Sequence, residues 1–341
     1  MRVSRVVSTI AWVFVSILVV APVGLGSALA LWFRLPAPDA VRGGAAGVAA
    51  IVAVATMFAL FSRVRWRALG AFAVAFAGVL VWWSTILPPR DGDWTPDVAR
   101  QTTGTIDGDI LTLSDVRDFD WRSDHDFTER WETRSYDLSK LDSLDLILSY
   151  WAGPQMAHLI MSFGFSDGQT LAWSLEVRRE KGGVYSPVAD AFKSHTLVSL
   201  ATTERDAVRL RANVRGEDVR LYRLHASPAA IRTLLIGYVD EADALARHPR
   251  WYNSLTANCT TAVTRLIRSL GGVLPLDWRL IVNGYLPGYL YDHGAVTTGY
   301  PLADLMERAR VDERARAADG SPDFSRLIRA GIPAPDGKPM M

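Results

Sequence analysis

Residues 6–33, 44–62 and 67–87 form three runs almost free of charge, and nothing else in the sequence constrains the chain so strongly. Each has about the 20 residues that a helix needs to cross a ~30 Å hydrocarbon core. One such run reads equally well as a buried core helix, but three in succession predict three transmembrane helices. Arg2 and Arg5 precede the first run, and Arg63, Arg65 and Arg67 crowd the loop between the second and third. The intervening loop holds only Arg34 and Arg42. Basic residues stay on the cytoplasmic side, so the N-terminus and the Arg63 loop are expected inside, and three crossings put residue 90 onward outside. Trp32, Trp66, Trp82 and Trp83 fall near span ends, where amphipathic rings favour the interface. Ala28-Leu29-Ala30 resembles a signal-peptide cleavage site, although the apolar region before it is long for that role. Cleavage there would not change the side on which the rest of the chain lies.

Beyond the apolar runs the chain becomes polar, charged and rich in turn residues. Three segments are expected: a membrane anchor over 1–89, a linker with an irregular lead-in over 90–117, and a periplasmic α+β domain with a C-terminal tail over 118–341. The near balance of 37 basic and 36 acidic residues gives no footprint for a nucleic-acid partner. Short apolar or alternating stretches bounded by turn residues predict strands at Asp145 to Trp151, His158 to Phe165, Thr170 to Arg179, Thr196 to Ala201 and Asp218 to Leu224. Two helices follow. Ser227 and Pro228 suit the cap and first position of one, whose stripe is Ile231, Leu234, Leu235, Tyr238 and Val239 and whose end is His248-Pro249. The other starts near Cys259 and stops at Gly271-Gly272. Past residue 300 a surface helix and a loose tail are expected.

Cys259 is the only cysteine. In an oxidising compartment a lone thiol has no partner within its chain, so it is either a buried hydrophobe or a reactive group. Asn258-Cys259-Thr260-Thr261 opens a helix, with Asn258 as N-cap and Val263, Leu266, Ile267 and Leu270 continuing on the cysteine's side. First-turn amides and the positive end of the helix favour a thiolate, and the same amides around Asn258 and Thr260 suit an oxyanion. The apolar stripe suits a core cysteine equally, and the residues leave both readings open.

A cysteine nucleophile needs a base. Of six histidines, His158 stands out because it begins an apolar strand after Ala152-Gly153-Pro154-Gln155. Ser166-Asp167-Gly168 is a three-residue hairpin loop that pairs Phe165 with Gln169. Leu159, Met161 and Phe163 then oppose Leu175, Trp173 and Leu171 on one apolar face. His158, Ile160 and Ser162 oppose Glu176, Ser174 and Ala172 on the other. A slip of one residue would mix the faces, so the pattern selects this register and makes His158 and Glu176 cross-strand neighbours. A carboxylate beside the imidazole fixes its tautomer and stabilises its charged form. A plain structural His–Glu pair is the alternative. Gly164-Phe165-Ser166-Asp167-Gly168 fits the serine-hydrolase pattern, but a strand rather than a helix follows it. No zinc-protease helix, cysteine pair or phosphate loop is present, Asp124, His125 and Asp126 read as a solvated loop, and neither cofactor nor metal is expected.

Several stretches resemble the bacterial family named for an Lnb-type N-terminal periplasmic domain. They are Asp118-Phe119-Asp120-Trp121, Phe127 to Glu132, Ser149 to Pro154, Ala157-His158, Ser162 to Phe165, Glu176 to Gly182 and Trp251 to Thr261. The order His158, Glu176, Asn258-Cys259 is also similar to circularly permuted papain-like proteins of the NlpC type, which place the histidine strand first and the cysteine helix last. That similarity implies an antiparallel sheet packed with helices, a Cys259–His158–Glu176 triad, and thiolate attack on a carbonyl followed by transfer to water or another acceptor. The substrate it implies is an amide or ester of an envelope peptide, lipoprotein or lipid, worked on beside the bilayer. A non-catalytic binding or sensor domain on the same scaffold, or a structural partner of another membrane protein, are the competing expectations.

Overall fold

The computed structural model describes residues 2–183, 186–254, 256–269 and 271–335. Leu255 of the family-like stretch, Leu270 of the helix stripe and the last six residues of the expected tail lie outside them. The described chain separates into two compact units: residues 1–89 with 185–194, and residues 90–184 with 195–341.

The first unit is helical. α1 (Arg2–Val15) runs through a π turn at Ser16–Val20 into α2 (Ala21–Arg34), and α3 (Asp39–Ala59) and α4 (Arg65–Thr85) follow. Three helices, Val6–Arg34, Asp39–Ala59 and Arg65–Thr85, are long and apolar enough to cross a membrane. Small residues let α2 and α3 approach closely: a Cβ on Gly24 would sit 2.3 Å from that of Ala53. The hydroxyls of Ser27 and Thr56 donate to carbonyls one turn back, so neither is an unmet donor. Ser186 caps the short α5 (Pro187–Asp190), and the residues after it complete this unit. Phe192 stacks on Phe33 with centroids 5.7 Å apart, and the Lys193 amine donates to the carbonyls of Trp83 and Ile86 at the end of α4.

The second unit is built on one sheet. Its strands are β1 (Thr103–Asp107), β2 (Ile110–Arg117), β5 (Trp131–Asp137), β6 (Leu141–Tyr150), β7 (Ala157–Phe165), β8 (Thr170–Arg178), β9 (Thr196–Thr202) and β10 (Asp218–Arg223). β3 (Asp120–Trp121) and β4 (Phe127–Thr128) form a separate two-stranded ribbon. The order is β1-β2-β9-β8-β7-β6-β10, with β5 paired to β2. Every pairing is antiparallel except a one-residue parallel contact between β2 and β9. The fold is therefore mixed α and β, with a mostly antiparallel sheet, as expected.

Alternation gives the sheet two buried faces. Leu159, Met161, Phe163, Leu171, Trp173 and Leu175 join one core with α7 (Pro228–Arg247) and α8 (Cys259–Ser269). Ile147, Ile160, Ala172, Val219 and Leu221 join a second core on the opposite side. That core includes residues of α6 (Glu204–Arg209), α11 (Asp312–Ala317) and α12 (Phe324–Leu327). The elements α9 (Leu286–Asp292) and α10 (Leu302–Arg308) complete the chain order. Ser227 caps α7 through Ala230 N, Pro228 takes its first turn and His248 ends it. Gly271, at φ +85°, turns the chain after α8, and Gly272 N returns to Ile267 O.

Two expectations are corrected. The stretch read as an irregular lead-in holds the β1–β2 hairpin; β1 has an exposed outer half, so its sequence lacks the apolar run that betrays an inner strand. The region past residue 300 is packed rather than loose up to residue 335. Phe324, Ile328 and Ile332 fill the second core, and Arg329 is buried between Asp145 and Glu204. Arg329 looks solvent-directed in sequence because its acidic partners lie more than a hundred residues away.

Candidate active site

The hairpin register determines where His158 falls. Phe165 N donates to Gln169 O at 3.0 Å, and the ladder continues through Gly164↔Thr170, Phe163↔Leu171 and Ser162↔Ala172 to Met161↔Trp173. Among the described residues it stops there. β7 stays with β6 as far as Tyr150↔Ala157, and β8 stays with β9 as far as Arg178↔Thr196. The sheet thus parts between β7 and β8 at the end that carries His158 and Glu176. Antiparallel donors toward one neighbour recur every second residue, so the series from Phe165 reaches Leu159. Past the last pair, the Leu159 amide is near the sulfur of Cys259 and favours its charged form. The head of α8 closes the split.

Cys259 is only 8 % exposed and sits among the residues of the first core. The His158 imidazole and the Leu159 amide are near enough to act on its thiol, and Thr260 Oγ1 lies 3.9 Å away. Burial pushes the thiol up, but the hydrogen bond and charge of His158, the Leu159 amide and the Thr260 hydroxyl together hold it below the ordinary thiol value. His158 Nε2 lies 3.4 Å from Glu176 Oε1. Nε2 meets no partner with good hydrogen-bond geometry, so this is an ion-pair contact rather than a well-formed bond. Burial and the Arg211 charge push the imidazole down, yet Glu176 and Cys259 outweigh them and raise it. Glu176 is itself held well below the carboxylate range: burial opposes this, while His158, Arg211 and Arg117 enforce it. The three shifts agree in favouring a thiolate, an imidazolium and a carboxylate.

The other two expected residues have structural partners. Asn258 Oδ1 accepts from Thr260 N at 3.0 Å and Thr261 N at 2.8 Å, and its amide nitrogen donates to Ser254 O at 2.7 Å. Asn258 is therefore the N-cap, a role worth roughly 1 kcal/mol. This cap uses the Thr260 amide, so of the first-turn donors expected to hold an oxyanion the cap leaves that of Cys259 itself. Thr260 is buried and accepts through Oγ1 from Asn283 Nδ2 at 2.7 Å.

Three functional neighbours escaped the sequence reading. Arg211 Nη2 reaches Glu176 Oε1 at 3.2 Å, and Ser174 Oγ donates to the same oxygen at 2.7 Å. Asn283 brackets the backbone of Ala157, accepting from its N–H at 2.9 Å and donating to its carbonyl at 2.6 Å. With its bond to Thr260, Asn283 ties the residue before His158 to the residue after Cys259. Ser174 was legible as a same-face neighbour of Glu176; Arg211 and Asn283 lie on elements that carry no local signal for this site. Ser166 is exposed on the hairpin turn, away from any helix start. Asp124 pairs with Arg215 and Asp126 with Arg122, and among the described residues no cluster of metal-ligating side chains occurs.

A helical anchor and an α+β domain with a buried cysteine beside a half-buried histidine and glutamate define a membrane-anchored protein with one candidate thiol site. Residues 127–284 match the family profile described as the Lnb N-terminal periplasmic domain. The matched segment runs from β4 to Gly284 and contains Cys259, His158, Glu176, Arg211 and Asn283. No curated protein and no solved structure matches the chain. A periplasmic domain family together with three membrane-length helices makes this a membrane-anchored protein with a periplasmic domain.

Proposed function

We propose that the chain is a multi-pass inner-membrane cysteine hydrolase or acyltransferase, with its domain from residue 90 onward in the periplasm. The carrying observation is the position of the Cys259 sulfur, at the head of a capped helix and beside His158, which is itself 3.4 Å from Glu176. Further support is the order of histidine strand, acidic partner and cysteine helix, which follows the papain-like plan of NlpC-type proteins.

In this reading the Cys259 thiolate attacks the carbonyl carbon of an amide or ester, and the carbonyl electron pair moves onto oxygen. The Cys259 N–H faces that developing charge. Collapse of the adduct breaks the bond to the amine or alkoxide, which leaves with the proton of the His158 imidazolium. The acyl group is now a thioester on Cys259. Water or an acceptor amine or hydroxyl loses its proton to His158 and attacks, expelling the thiolate. Glu176 keeps the ring oriented and charged and, held ionised by Arg211 and Arg117, does not take the proton itself. The substrate class is an envelope peptide, lipoprotein or lipid. The near-complete burial of Cys259 favours a second reading, a binding or sensor domain without turnover.

A membrane-impermeant alkylating reagent applied to spheroplasts across a pH series tests both halves, because Cys259 is the sole thiol. The expected result is labelling of intact spheroplasts, with a midpoint below the ordinary thiol value of about 8.5 that moves upward in His158→Gln. Labelling only after lysis reverses the topology. A folded thiol that resists at every pH replaces the enzyme with the binding domain.

A further inference from the structure

Between α8 and α9 the chain displays apolar side chains that no part of the described protein covers. Leu276 is 90 % exposed, Ile281 67 %, Trp278 58 % and Tyr285 39 %. Single exposed hydrophobics are ordinary, but a contiguous set is not. These are contiguous: the rings of Trp278 and Tyr285 lie 5.2 Å apart, and Leu276, Trp278 and Ile281 line one groove beside Thr261 and Thr264 of α8. The segment is also held open. Gly284 N donates to Gln155 O at 3.0 Å, and a Cβ on Gly284 would fall 2.1 Å from the Pro154 carbonyl, so the chain is pressed against the turn before β7. Asn283 adds its bracket on Ala157. A collapsed loop would bury these side chains, whereas this one presents them.

We propose that residues 276–285 form an interfacial docking loop whose occupant is the bilayer itself, at the boundary of headgroups and acyl chains. A tryptophan and a tyrosine among aliphatic side chains is the composition that settles at that depth. The charges within the segment do not oppose insertion, because Arg279 pairs with Asp277 at 2.8 Å and its second terminal nitrogen with Asp292 at 2.6 Å. The chain also supplies the occupant: α4 ends at Thr85, and a short linker keeps the domain at high effective concentration beside lipid. A freely diffusing protein partner or a second copy has no such advantage. The proposal rests on the membrane anchor and not on catalysis, so it stands or falls apart from the enzyme reading.

The test uses the full chain in vesicles of phosphatidylethanolamine and phosphatidylglycerol, in a Cys259→Ala background. An environment-sensitive fluorophore is attached at Ile281→Cys, at Leu276→Cys and, as control, at the exposed Glu313→Cys on α11. Lipids carrying a doxyl quencher should quench the first two labels several-fold more than the control, and Trp278→Glu should reduce that difference. Labels at 276 and 281 that remain as open to an aqueous quencher as the one at 313 overturn the proposal. So do labels shielded from the aqueous quencher but untouched by doxyl lipid, since the occupant is then a protein. Unchanged thermal unfolding of the labelled chains shows that the readout comes from folded protein.

Discussion

Three side chains converge on Glu176 Oε1: the Ser174 hydroxyl, the Arg211 guanidinium and, at 3.4 Å, the His158 ring. Arg211 favours the charged carboxylate and disfavours the charged imidazole, so Glu176 also screens His158 from the arginine behind it. Removing the carboxylate leaves that repulsion unopposed. In Glu176→Gln the His158 titration, followed by imidazole NMR, should therefore fall from above its ordinary 6.5 in the parent to below it. An unchanged titration would show that the two residues are not coupled. The raised imidazole stabilises the fold below pH 6.5 and loses that contribution as pH rises through the folded value. The depressed carboxylate acts in the other sense: its contribution is complete above the ordinary carboxylate value of 4.5 and is lost as pH falls through the lower folded one. The Gln variant should lack this acid-side loss in a pH series of denaturation midpoints. At this scale the site was partly legible. His158 and Glu176 follow from alternation and a hairpin turn, and Cys259 from being solitary at a helix start. Arg211 lies in a π-helical turn after α6 with no pattern that points toward β8.

The parted hairpin needs something to hold its two halves to α8, and among elements that role falls to the short turn containing Asn283. Its side chain makes three buried hydrogen bonds, two to Ala157 on β7 and one to Thr260 on α8. In Asn283→Ala these partners lose their bonds in a site with little access to water, which should cost on the order of 3 kcal/mol in denaturant unfolding. Alkylation of Cys259 in the still-folded variant should slow, since the Leu159 amide and His158 are no longer held at the sulfur. A stable variant with unchanged alkylation would reduce Asn283 to an ordinary loop residue. Inner strands and a capped amphipathic helix were readable: β7, β8, β9, β10 and α7 were each anticipated to within a residue or two. β1 was missed because an edge strand has no continuous apolar run, and α11 and α12 because each is under two turns and shows too few residues for a period to register.

For the molecule as a whole, the sheet is covered on both sides, and the cover on the second side is fastened by charge. Arg329 donates to Asp145 on β6 at 2.8 and 2.9 Å and to Glu204 on α6 at 2.6 Å, and Ser162 donates to the same Glu204 at 2.7 Å. A buried pair of this kind adds little over an apolar substitute, but breaking it is costly because a charge stays behind. Arg329→Met leaves Glu204 without its guanidinium and Asp145 with Arg223 alone, and should destabilise the domain by roughly 3–5 kcal/mol. Glu204→Gln in the Met variant should restore part of that loss. Equal stability of Arg329→Met and the parent would show that the apolar contacts of Phe324 and Ile328 fasten this face unaided.

The same arginine sets an order of assembly. Asp145 precedes it by 184 residues and Glu204 by 125; Asp145 meets Arg223 sooner, but Glu204 has its guanidinium only once residue 329 arrives. Until residue 329 is in place, α6 carries in Glu204 a charge that favours water over burial, and the cover on that face of the sheet is not fastened. Secretion of this domain is thus vectorial in its energetics: the strands that bear His158 and Glu176 are exported early, and the layer behind them locks only once translocation is nearly done. A chain that stops short of that point keeps in its would-be interior an acid, Glu204, without the guanidinium that lets it be buried.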